Sequence, residues 1–216
     1  MLETYPTPAA LADAAAQAVE ARLADALAVR PRASLVGTGG RSPAPVYDRL
    51  AAAPIDWARV VVTLSDERCV PENSPDSNAG LAHAHLLQGP AAEAELLPLW
   101  PHADEAALAA LMPFDAVILG MGEDGHVASL IPGDPGLESA LTTDRLTALV
   151  PEGLGRPPLA RITLTLSALS QSRAIFLLIA GEAKREVIER AQAGADLPVG
   201  RLLMGPAPVR VFWTPG

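Results

Sequence analysis

Cysteine is almost absent from this chain of 216 residues, because Cys69 is the only one. A single cysteine cannot form an intrachain disulfide and cannot build a cysteine-rich metal site. Aromatic residues make up only 4% of the chain, and the formal net charge is −9. Few aromatics leave little surface on which bases could stack, and a negative charge repels phosphate backbones. We therefore expect no nucleic-acid partner.

Long hydrophobic runs and a leader segment are missing as well. No apolar stretch reaches the roughly 20 residues of a membrane-spanning helix, and the amino terminus has no basic-then-apolar signal peptide. We therefore expect no membrane partner and a cytoplasmic location. Half of the residues are hydrophobic and the mean hydropathy is +0.24, so a sizeable core is available. The length predicts a single domain over residues 1–216.

Helical and strand patterns alternate along the chain. Ala-rich spacing predicts a first helix over residues 8–29, and the β-branched run RVVVTL predicts a strand over residues 59–64. The remaining predicted helices cover residues 42–53, 78–87, 103–111 and 182–193, and the remaining strands cover residues 33–37, 96–100, 114–120, 146–150, 161–165, 174–180 and 209–213. This alternation predicts an α/β fold: a doubly wound, mainly parallel sheet flanked by helices, Rossmann-like. We expect residues 209–213 to close the sheet and residues 65–77 to form a polar loop.

The first candidate site is the glycine-rich turn GTGGRSP, residues 37–43. A strand, glycines and then a helix start leave backbone N–H groups at the positive end of a helix dipole, which is a phosphate-binding geometry. Gly39 and Gly40 would supply the N–H groups, Ser42 would cap the helix, and Arg41 would add a charged contact. The turn could equally be a tight connection only. It matches neither the Walker A nor the dinucleotide pattern, so we expect no nucleotide cofactor.

Three charged residues, Asp66, Glu67 and Arg68, directly follow the strand RVVVTL. The carboxyl ends of parallel strands meet at one edge of a sheet, so these side chains should lie near the glycine-rich turn. The alternative is a solvated loop, which is what three consecutive charges usually form. Further along, residues 76–78 should cap the following helix.

The most informative stretch is LGMGEDGHVASLIPG, residues 119–133, which follows a buried strand. Its glycines would place the ring of His126 in the crevice above the sheet, where open α/β folds bind their ligands. If His126 opens a helix, the helix dipole disfavours its imidazolium form, and a neutral ring is what a general base needs near pH 7. Asp124 could orient His126 or support the turn at Gly125. Neighbours two apart rarely face each other, so we expect the turn role.

Lys184 is the only lysine among 16 basic residues, and it lies where a strand ends and a helix begins. A compact ammonium at this edge could hold an anion, and the alternative is a solvated helical lysine. Other chemistries lack their motifs. There is no G-x-S-x-G nucleophile elbow, and His83 and His85 would point to different faces of a helix, so we expect no metal site.

These segments together resemble the family of glucosamine-6-phosphate isomerases and 6-phosphogluconolactonases. The matching segments are residues 39–43 (G-G-[ST]-[TS]-P in the family), residues 66–71 with 77–78 (D-E-R-x-V-P and S-N), residues 119–133 (L-G-x-G-x-D-G-H-x-A-S-L-F-P-G), residues 161–165 (R-[IL]-T-[LM]-T) and residues 181–184 (G-x-x-K). Two positions depart from the family pattern. Arg41 replaces a small hydroxyl residue, and Ile131 stands where phenylalanine is common.

The resemblance implies hydrolysis of 6-phospho-D-glucono-1,5-lactone without a metal or other cofactor, with this small sugar phosphate as the partner. Glucosamine-6-phosphate deaminases instead carry a glutamate in a G-F-N-E-P segment, where residues 128–132 of this chain have no carboxylate. His126 would be the general base, with Asp124 beside it as the second catalytic residue. The residues expected to bind the substrate or its phosphate are Gly39, Gly40, Arg41, Ser42, Asp66, Glu67, Arg68, Gly122, Gly125, Arg161 and Lys184.

Within that set, the backbone amides near Gly122 or Gly125 are the expected oxyanion donors, and Arg161 is the weaker of the expected cations. A sugar-phosphate sensor on the same fold is the non-enzymatic alternative, but it predicts a damaged histidine turn, and His126 keeps its glycines. We expect a monomer or a weak homodimer.

Overall fold

The computed structural model describes residues 2–216 and contains ten strands and eight α-helices in that range. The strands are β1 (Leu2–Thr4), β2 (Ala33–Gly37), β3 (Val60–Leu64), β4 (Asp66–Arg68), β5 (Glu95–Leu96), β6 (Ala116–Gly120), β7 (Thr147–Val150), β8 (Arg161–Leu164), β9 (Ile175–Ala180) and β10 (Val209–Thr214). The helices are α1 (Pro8–Val29), α2 (Ala44–Ala51), α3 (Asn78–His85), α4 (Glu105–Ala110), α5 (Leu137–Thr142), α6 (Leu166–Ser170), α7 (Glu182–Gln192) and α8 (Pro198–Leu203).

The main sheet has seven parallel strands in the order β1-β10-β9-β6-β2-β3-β5. Successive residues of a strand point to opposite faces, so each face of this sheet carries its own core. In β9, Phe176 and Leu178 join the core that α1 and α2 cover, whereas Leu177 and Ile179 join the core that α7 and α8 cover. Helices on both faces confirm the predicted doubly wound, mainly parallel architecture.

Helix α1 has the predicted bounds because its local signals agree. The hydroxyl of Thr7 accepts a hydrogen bond from the Ala10 amide at 3.1 Å, and Pro8 occupies the first helical position. Both features favour a helix start at this point. The buried residues Ala12, Ala15 and further apolar side chains at helical spacing pack onto the sheet.

A second sheet, which we did not predict, has the order β4-β8-β7 and is antiparallel. We expected β7 and β8 in the parallel sheet and β4 within a loop, and these expectations are wrong. β-branched composition marks a strand but does not specify its partner. Asp66 pairs with Thr163 and Arg68 pairs with Arg161, and such distant pairings leave no local signal.

The edges of the main sheet and several short helices also differ from the prediction. β10 does not close the sheet, because β1 pairs with it on the outside. The predicted strand over residues 96–100 is only the two-residue β5. Helices α5, α6 and α8 were not predicted, since five or six residues are too few to show a helical period.

The direction of strand addition reverses between β2 and β6. From β2 the chain proceeds outward to β3 and β5, and from β6 it proceeds outward in the opposite direction to β9 and β10. Doubly wound folds bind ligands outside the carboxyl ends of the strands at such a point. The turns that follow β2 and β6 are the glycine-rich turn and the histidine turn, so the fold brings both to the same crevice.

Candidate active site

The histidine turn after β6 is closed by its own backbone. The Gly122 amide donates to the His126 carbonyl at 3.0 Å, and the Gly125 amide donates to the Gly122 carbonyl at 3.1 Å. A Cβ atom on Gly122 would lie 2.3 Å from two atoms of the His126 ring and 2.5 Å from Oδ1 of Asp124. Only glycine fits at position 122 while the imidazole occupies this place.

Asp124 holds the ring of His126. Its Oδ1 lies 2.6 Å from Nδ1 of the imidazole and also accepts the His126 backbone N–H at 3.2 Å. The hydrogen bond with His126 lowers the pKa of Asp124, so the carboxylate is charged at neutral pH. One oxygen therefore both orients the ring and closes the turn. We expected mainly the turn role, which applies to helical neighbours two apart but not to this tighter turn.

No helix begins at His126 in the described part of the chain. Residues 121–136 form turns and isolated bridges, and the next helix, α5, begins at Leu137. The expected influence of a helix dipole on the ring is therefore wrong, and the Asp124 carboxylate is the neighbouring charge instead. With a hydrogen on Nδ1 facing this carboxylate, Nε2 carries the free lone pair. The side chain of His126 is 30% exposed, which leaves it accessible from the crevice.

The two amides expected to stabilise an oxyanion are already engaged. Gly122 and Gly125 each donate their N–H within the histidine turn, as described above. Their contribution is to the shape of the turn, with Gly125 in the left-handed region at a φ of +83°. This corrects the expectation that these two N–H groups face the substrate.

Tyr47 fixes the start of the glycine-rich turn. Its buried hydroxyl accepts the Thr38 N–H at 2.6 Å and donates to the Thr38 carbonyl at 2.8 Å. Burial raises the pKa of Tyr47, so this hydroxyl keeps its proton. Beyond this point, the amides of residues 39–42 donate no hydrogen bond to any described residue. A row of free amides ahead of α2 is suited to bind an anion.

Ser42 does not cap α2, which corrects the sequence analysis. The N-cap position is Pro43, and no side chain caps the helix there. Arg41 and Ser42 are both exposed at the mouth of the turn. Ser42 therefore remains available to a ligand, but not through the capping role that we expected.

Lys184 lies in the first turn of α7, as predicted, and it is half-buried. Burial lowers the pKa of Lys184, the nearby carboxylate of Glu123 opposes this shift, and Arg41 lowers the pKa further. Asp124 also acts on Lys184 electrostatically. The ammonium is thus close to the glycine-rich turn through Arg41 and to the histidine turn through Asp124. The structure brings these predicted residues together.

Asp66 and Glu67 lie at the predicted edge but are almost completely buried, at 4% and 3% exposure. The carboxylate of Glu67 accepts four hydrogen bonds: from the backbone amides of Arg68, Asn78 and Ala79 and from the Ser77 hydroxyl. The carboxylate of Asp66 is likewise surrounded by protein donors. Neither carboxylate is accessible to a substrate, which corrects their expected binding role.

Arg68 and Arg161 are directly opposite each other across β4 and β8. Arg68 donates to the Asp76 carbonyl at 2.6 Å, and Arg161 donates to the Pro157 carbonyl at 2.7 Å. The Nε atom of each guanidinium is buried without a hydrogen-bond partner among the described residues. Burial lowers the pKa of Arg161, nearby Asp66 opposes this, and Arg68 lowers it further. Two facing cations with unused donors could bind an anion.

The enclosed volumes of the molecule lie outside this crevice. A cleft of about 410 Å³ on the other side of β4 is lined mainly by apolar side chains, including Val70, Pro98 and Trp100. A second cleft, of about 300 Å³, lies against β7 and α5. Neither is lined by His126, whose site is an open crevice. Over residues 2–216, no group of three His, Cys, Asp or Glu side chains could hold a metal ion, and no helix is long and apolar enough to cross a membrane.

Three residues that support the site were not singled out from the sequence. Tyr47 holds the glycine-rich turn, Ser129 joins the histidine turn to Asp66, and the side chain of Asn78 packs against Gly39. Asn78 was assigned to a helix cap, although that role belongs to Ser77. A motif match includes Ser129 and Asn78 but does not show what their side chains contact.

The crevice combines an accessible histidine, free amides and a half-buried lysine at the switch point of a parallel sheet, which defines an α/β enzyme acting on small anionic molecules. The chain belongs to the family described as glucosamine-6-phosphate isomerases/6-phosphogluconolactonase, whose model matches residues 6–213. Two similar relatives are both called 6-phosphogluconolactonase. The one from Caulobacter vibrioides is 42% identical and covers 98% of this chain and 96% of its own length. The one from Rhizobium meliloti is 40% identical, with 99% and 98% covered.

The fold agrees with a solved structure of the same family. The crystal structure of a 6-phosphogluconolactonase from Shewanella baltica has a TM-score of 0.90 and 37% sequence identity to this chain, with 99% of this chain and 97% of that one covered. The predicted family and fold class are thus confirmed.

Proposed function

We propose that this protein is a 6-phosphogluconolactonase, which hydrolyses 6-phospho-D-glucono-1,5-lactone to 6-phospho-D-gluconate in the pentose phosphate pathway. The observation that carries the proposal is the 2.6 Å contact between His126 and Asp124 at the switch point of the sheet. This pair is a base with its orienting carboxylate, and relatives with the lactonase name match the chain over nearly its full length.

In the first step, Nε2 of His126 removes a proton from a water molecule while the water oxygen attacks C1 of the lactone. The resulting imidazolium is stabilised by the Asp124 carboxylate on Nδ1. A base with a lone pair within reach of water contributes about a hundred- to ten-thousand-fold to the rate. A lactone is an activated ester, so no covalent nucleophile is needed.

In the second step, the tetrahedral intermediate collapses and the bond between C1 and the ring oxygen breaks. The imidazolium returns its proton to that oxygen, which becomes the C5 hydroxyl of the product. C1 becomes the carboxyl group, and His126 is again neutral. One residue thus acts as base and then as acid, and the catalyst is regenerated without another proton donor.

The phosphate is held away from the reacting carbon. The free amides of residues 39–42 and the side chains of Arg41 and Lys184 are our proposed grip, because they converge beside the histidine turn. Arg68 and Arg161 offer further unused donors on the β4–β8 pair. Binding energy from this remote group orients C1 toward the base.

We propose that the reaction is independent of a metal. Acid–base chemistry on an activated ester needs no Lewis acid, and the carboxylates nearest the site are engaged with protein partners. Asp124 contacts His126, and Asp66 contacts Ser129. Chelator treatment should therefore leave turnover unchanged.

The sibling activity, deamination of glucosamine 6-phosphate, is not favoured. Deaminases of this family carry a glutamate in the segment that corresponds to residues 128–132. Here that segment holds Ser129, whose hydroxyl is buried against Asp66 rather than turned to the crevice. No carboxylate in this segment could assist ring opening.

The test compares wild type with His126→Ala. Lactone produced from glucose 6-phosphate by a dehydrogenase is followed by acid release, with the spontaneous rate subtracted. The expected result is enzymatic hydrolysis by wild type and a loss of kcat of at least about a hundredfold in the variant.

A second histidine gives a matched control. His85 forms the same type of contact with Asp48, at 2.8 Å between Nδ1 and Oδ1, on a different part of the surface. His85→Ala should retain wild-type turnover. A wild-type rate no greater than the spontaneous one would overturn the proposed function, and an unchanged His126→Ala rate would overturn only the assigned base.

A further inference from the structure

The buried carboxylate of Asp66 contacts the supports of both turns that form the crevice. Oδ2 accepts a hydrogen bond from the Ser129 hydroxyl at 2.6 Å, and Oδ1 lies 3.1 Å from the Ser65 hydroxyl. Ser129 is three residues beyond His126, in the histidine turn. Asp66 therefore joins two segments that are far apart in the chain.

On the histidine side, the attachment is rigid. The Ser129 amide donates to the Thr163 hydroxyl at 3.1 Å, and both residues are completely buried. The preceding residue, Ala128, has a left-handed backbone with a φ of +50°, the only non-glycine residue in the described chain with a positive φ. Such a conformation persists only where the surroundings impose it. The two contacts of Ser129 impose it here.

On the phosphate side, Asp66 acts through two neighbours. The Ser65 hydroxyl lies 3.1 Å from the hydroxyl of Thr38, which leads into the glycine-rich turn. The Asn78 amide group donates to the Asp66 carbonyl at 2.8 Å. The same amide group packs so closely on Gly39 that a Cβ there would lie 1.9 Å from Oδ1 of Asn78. The glycine-rich turn is thus seated on residues that Asp66 holds.

A substrate that is gripped at one end and attacked at the other requires a fixed distance between grip and base. We infer that Asp66 is a positioning residue that sets the separation of the histidine turn from the phosphate-binding turn, without touching the substrate. This inference rests on the proposed lactonase function. It predicts that loosening Asp66 lowers kcat while each turn keeps its own local binding ability.

The first test variant is Ser129→Ala, which removes the contact with Oδ2 but adds no bulk to the buried site. Turnover of the phosphorylated lactone should fall roughly tenfold to a hundredfold in kcat, since small misplacements of reacting groups cost this much. Inorganic phosphate, measured as a competitive inhibitor, should keep its inhibition constant within twofold. A role in general stability would not separate these two quantities.

The matched control is Ser34→Ala at the opposite end of the sheet. Ser34 is also a buried serine that contacts a buried aspartate, since its hydroxyl accepts the Asp115 amide at 3.0 Å and its own amide donates to Oδ2 of Asp115 at 2.9 Å. It loses a comparable set of contacts away from the crevice. Ser34→Ala should therefore retain both kcat and the phosphate inhibition constant.

The second variant, Asp66→Asn, places an amide among donors and is combined with Ser129→Ala. Because both changes break one contact, the double variant should lose little more kcat than the single ones. If Asp66→Asn does not fold, Ser129→Ala alone still decides the question. An unchanged kcat in Ser129→Ala, or an equal loss of kcat and phosphate affinity, would overturn the inference. A wild type without lactonase activity would instead overturn the proposed function.

Discussion

The site depends on contacts between single residues that tolerate almost no change in size or charge. The oxygen of Asp124 that touches the imidazole of His126 also closes the turn, and Gly122 leaves the space that both occupy. A turn of this kind positions the base by steric exclusion as much as by hydrogen bonding. Two predictions follow from this geometry.

Gly122→Ala should displace the imidazole, because its Cβ would lie 2.3 Å from the ring. We expect kcat to fall by about a hundredfold, the usual result of a small misplacement of a catalytic group. Gly120→Ala is the control, since a Cβ there has no atom within 4 Å and its φ is not positive. Steady-state kinetics of both variants check the prediction. Equal activity of the two would contradict the crowding that we describe.

Asp124→Asn should lower kcat by roughly tenfold to a thousandfold by removing the carboxylate that stabilises the imidazolium. The pKa of Asp124 is lowered from its ordinary value of 3.8. The charged carboxylate therefore contributes stability above pH 3.8, and this contribution is lost as the pH falls through the lowered pKa. Urea unfolding should show a constant difference between wild type and variant from pH 5 to 8 and a shrinking one below pH 3.8. A difference that grows toward acid pH would contradict this assignment.

At the scale of elements, β4 and α3 are joined by one buried carboxylate. Glu67 accepts hydrogen bonds from the amides of Asn78 and Ala79 at the start of α3, and α3 in turn supports the glycine-rich turn through Asn78. A negative charge at a helix amino terminus is stabilised by the helix dipole. Glu67 thus has a structural role, although it lies beside catalytic elements.

Glu67→Gln should lower the free energy of unfolding by roughly 1–3 kcal/mol, because an amide N–H₂ group would face backbone donors and leave them unsatisfied. Glu93→Gln is the control, since Glu93 is exposed. Urea denaturation at pH 7 measures both. A Glu67→Gln protein as stable as wild type would show that these four hydrogen bonds contribute little.

At the scale of the whole molecule, a protein with a net charge of −9 proposes to bind a phosphate dianion at one local group of cations. Attraction at the crevice competes with repulsion from the remaining surface, and both decrease when salt screens them. Arg41 and Lys184 are close enough to affect each other electrostatically, so the local positive field is concentrated there.

Raising the ionic strength from about 0.01 M to 0.3 M shortens the screening length from about 30 Å to well below 10 Å. We expect KM for the phosphorylated lactone to rise several-fold while kcat stays constant, because the cations act on binding. In Lys184→Ala, KM should be higher at low salt and less dependent on salt. The same salt dependence in both proteins would exclude Lys184 from the grip.

Much of this architecture follows from local patterns. α1 has the predicted bounds because capping, proline position and apolar spacing agree, and the strands of the main sheet were found because parallel strands buried on both faces are continuous apolar runs. The glycine-rich turn, the histidine turn and Lys184 were placed at one edge because parallel strands share a direction. These are properties of short segments, which a sequence displays directly.

The sequence by itself determined the parallel sheet, the family and the positions of His126 and Lys184 at its carboxyl edge. Only the tertiary structure decided that β4 pairs with β8, that Asp66 is buried rather than exposed to ligand, and that Asp124 contacts the ring of His126. The physical reason is that strand periodicity and turn composition depend on neighbours along the chain. The partner of a buried carboxylate depends instead on segments that meet only after folding.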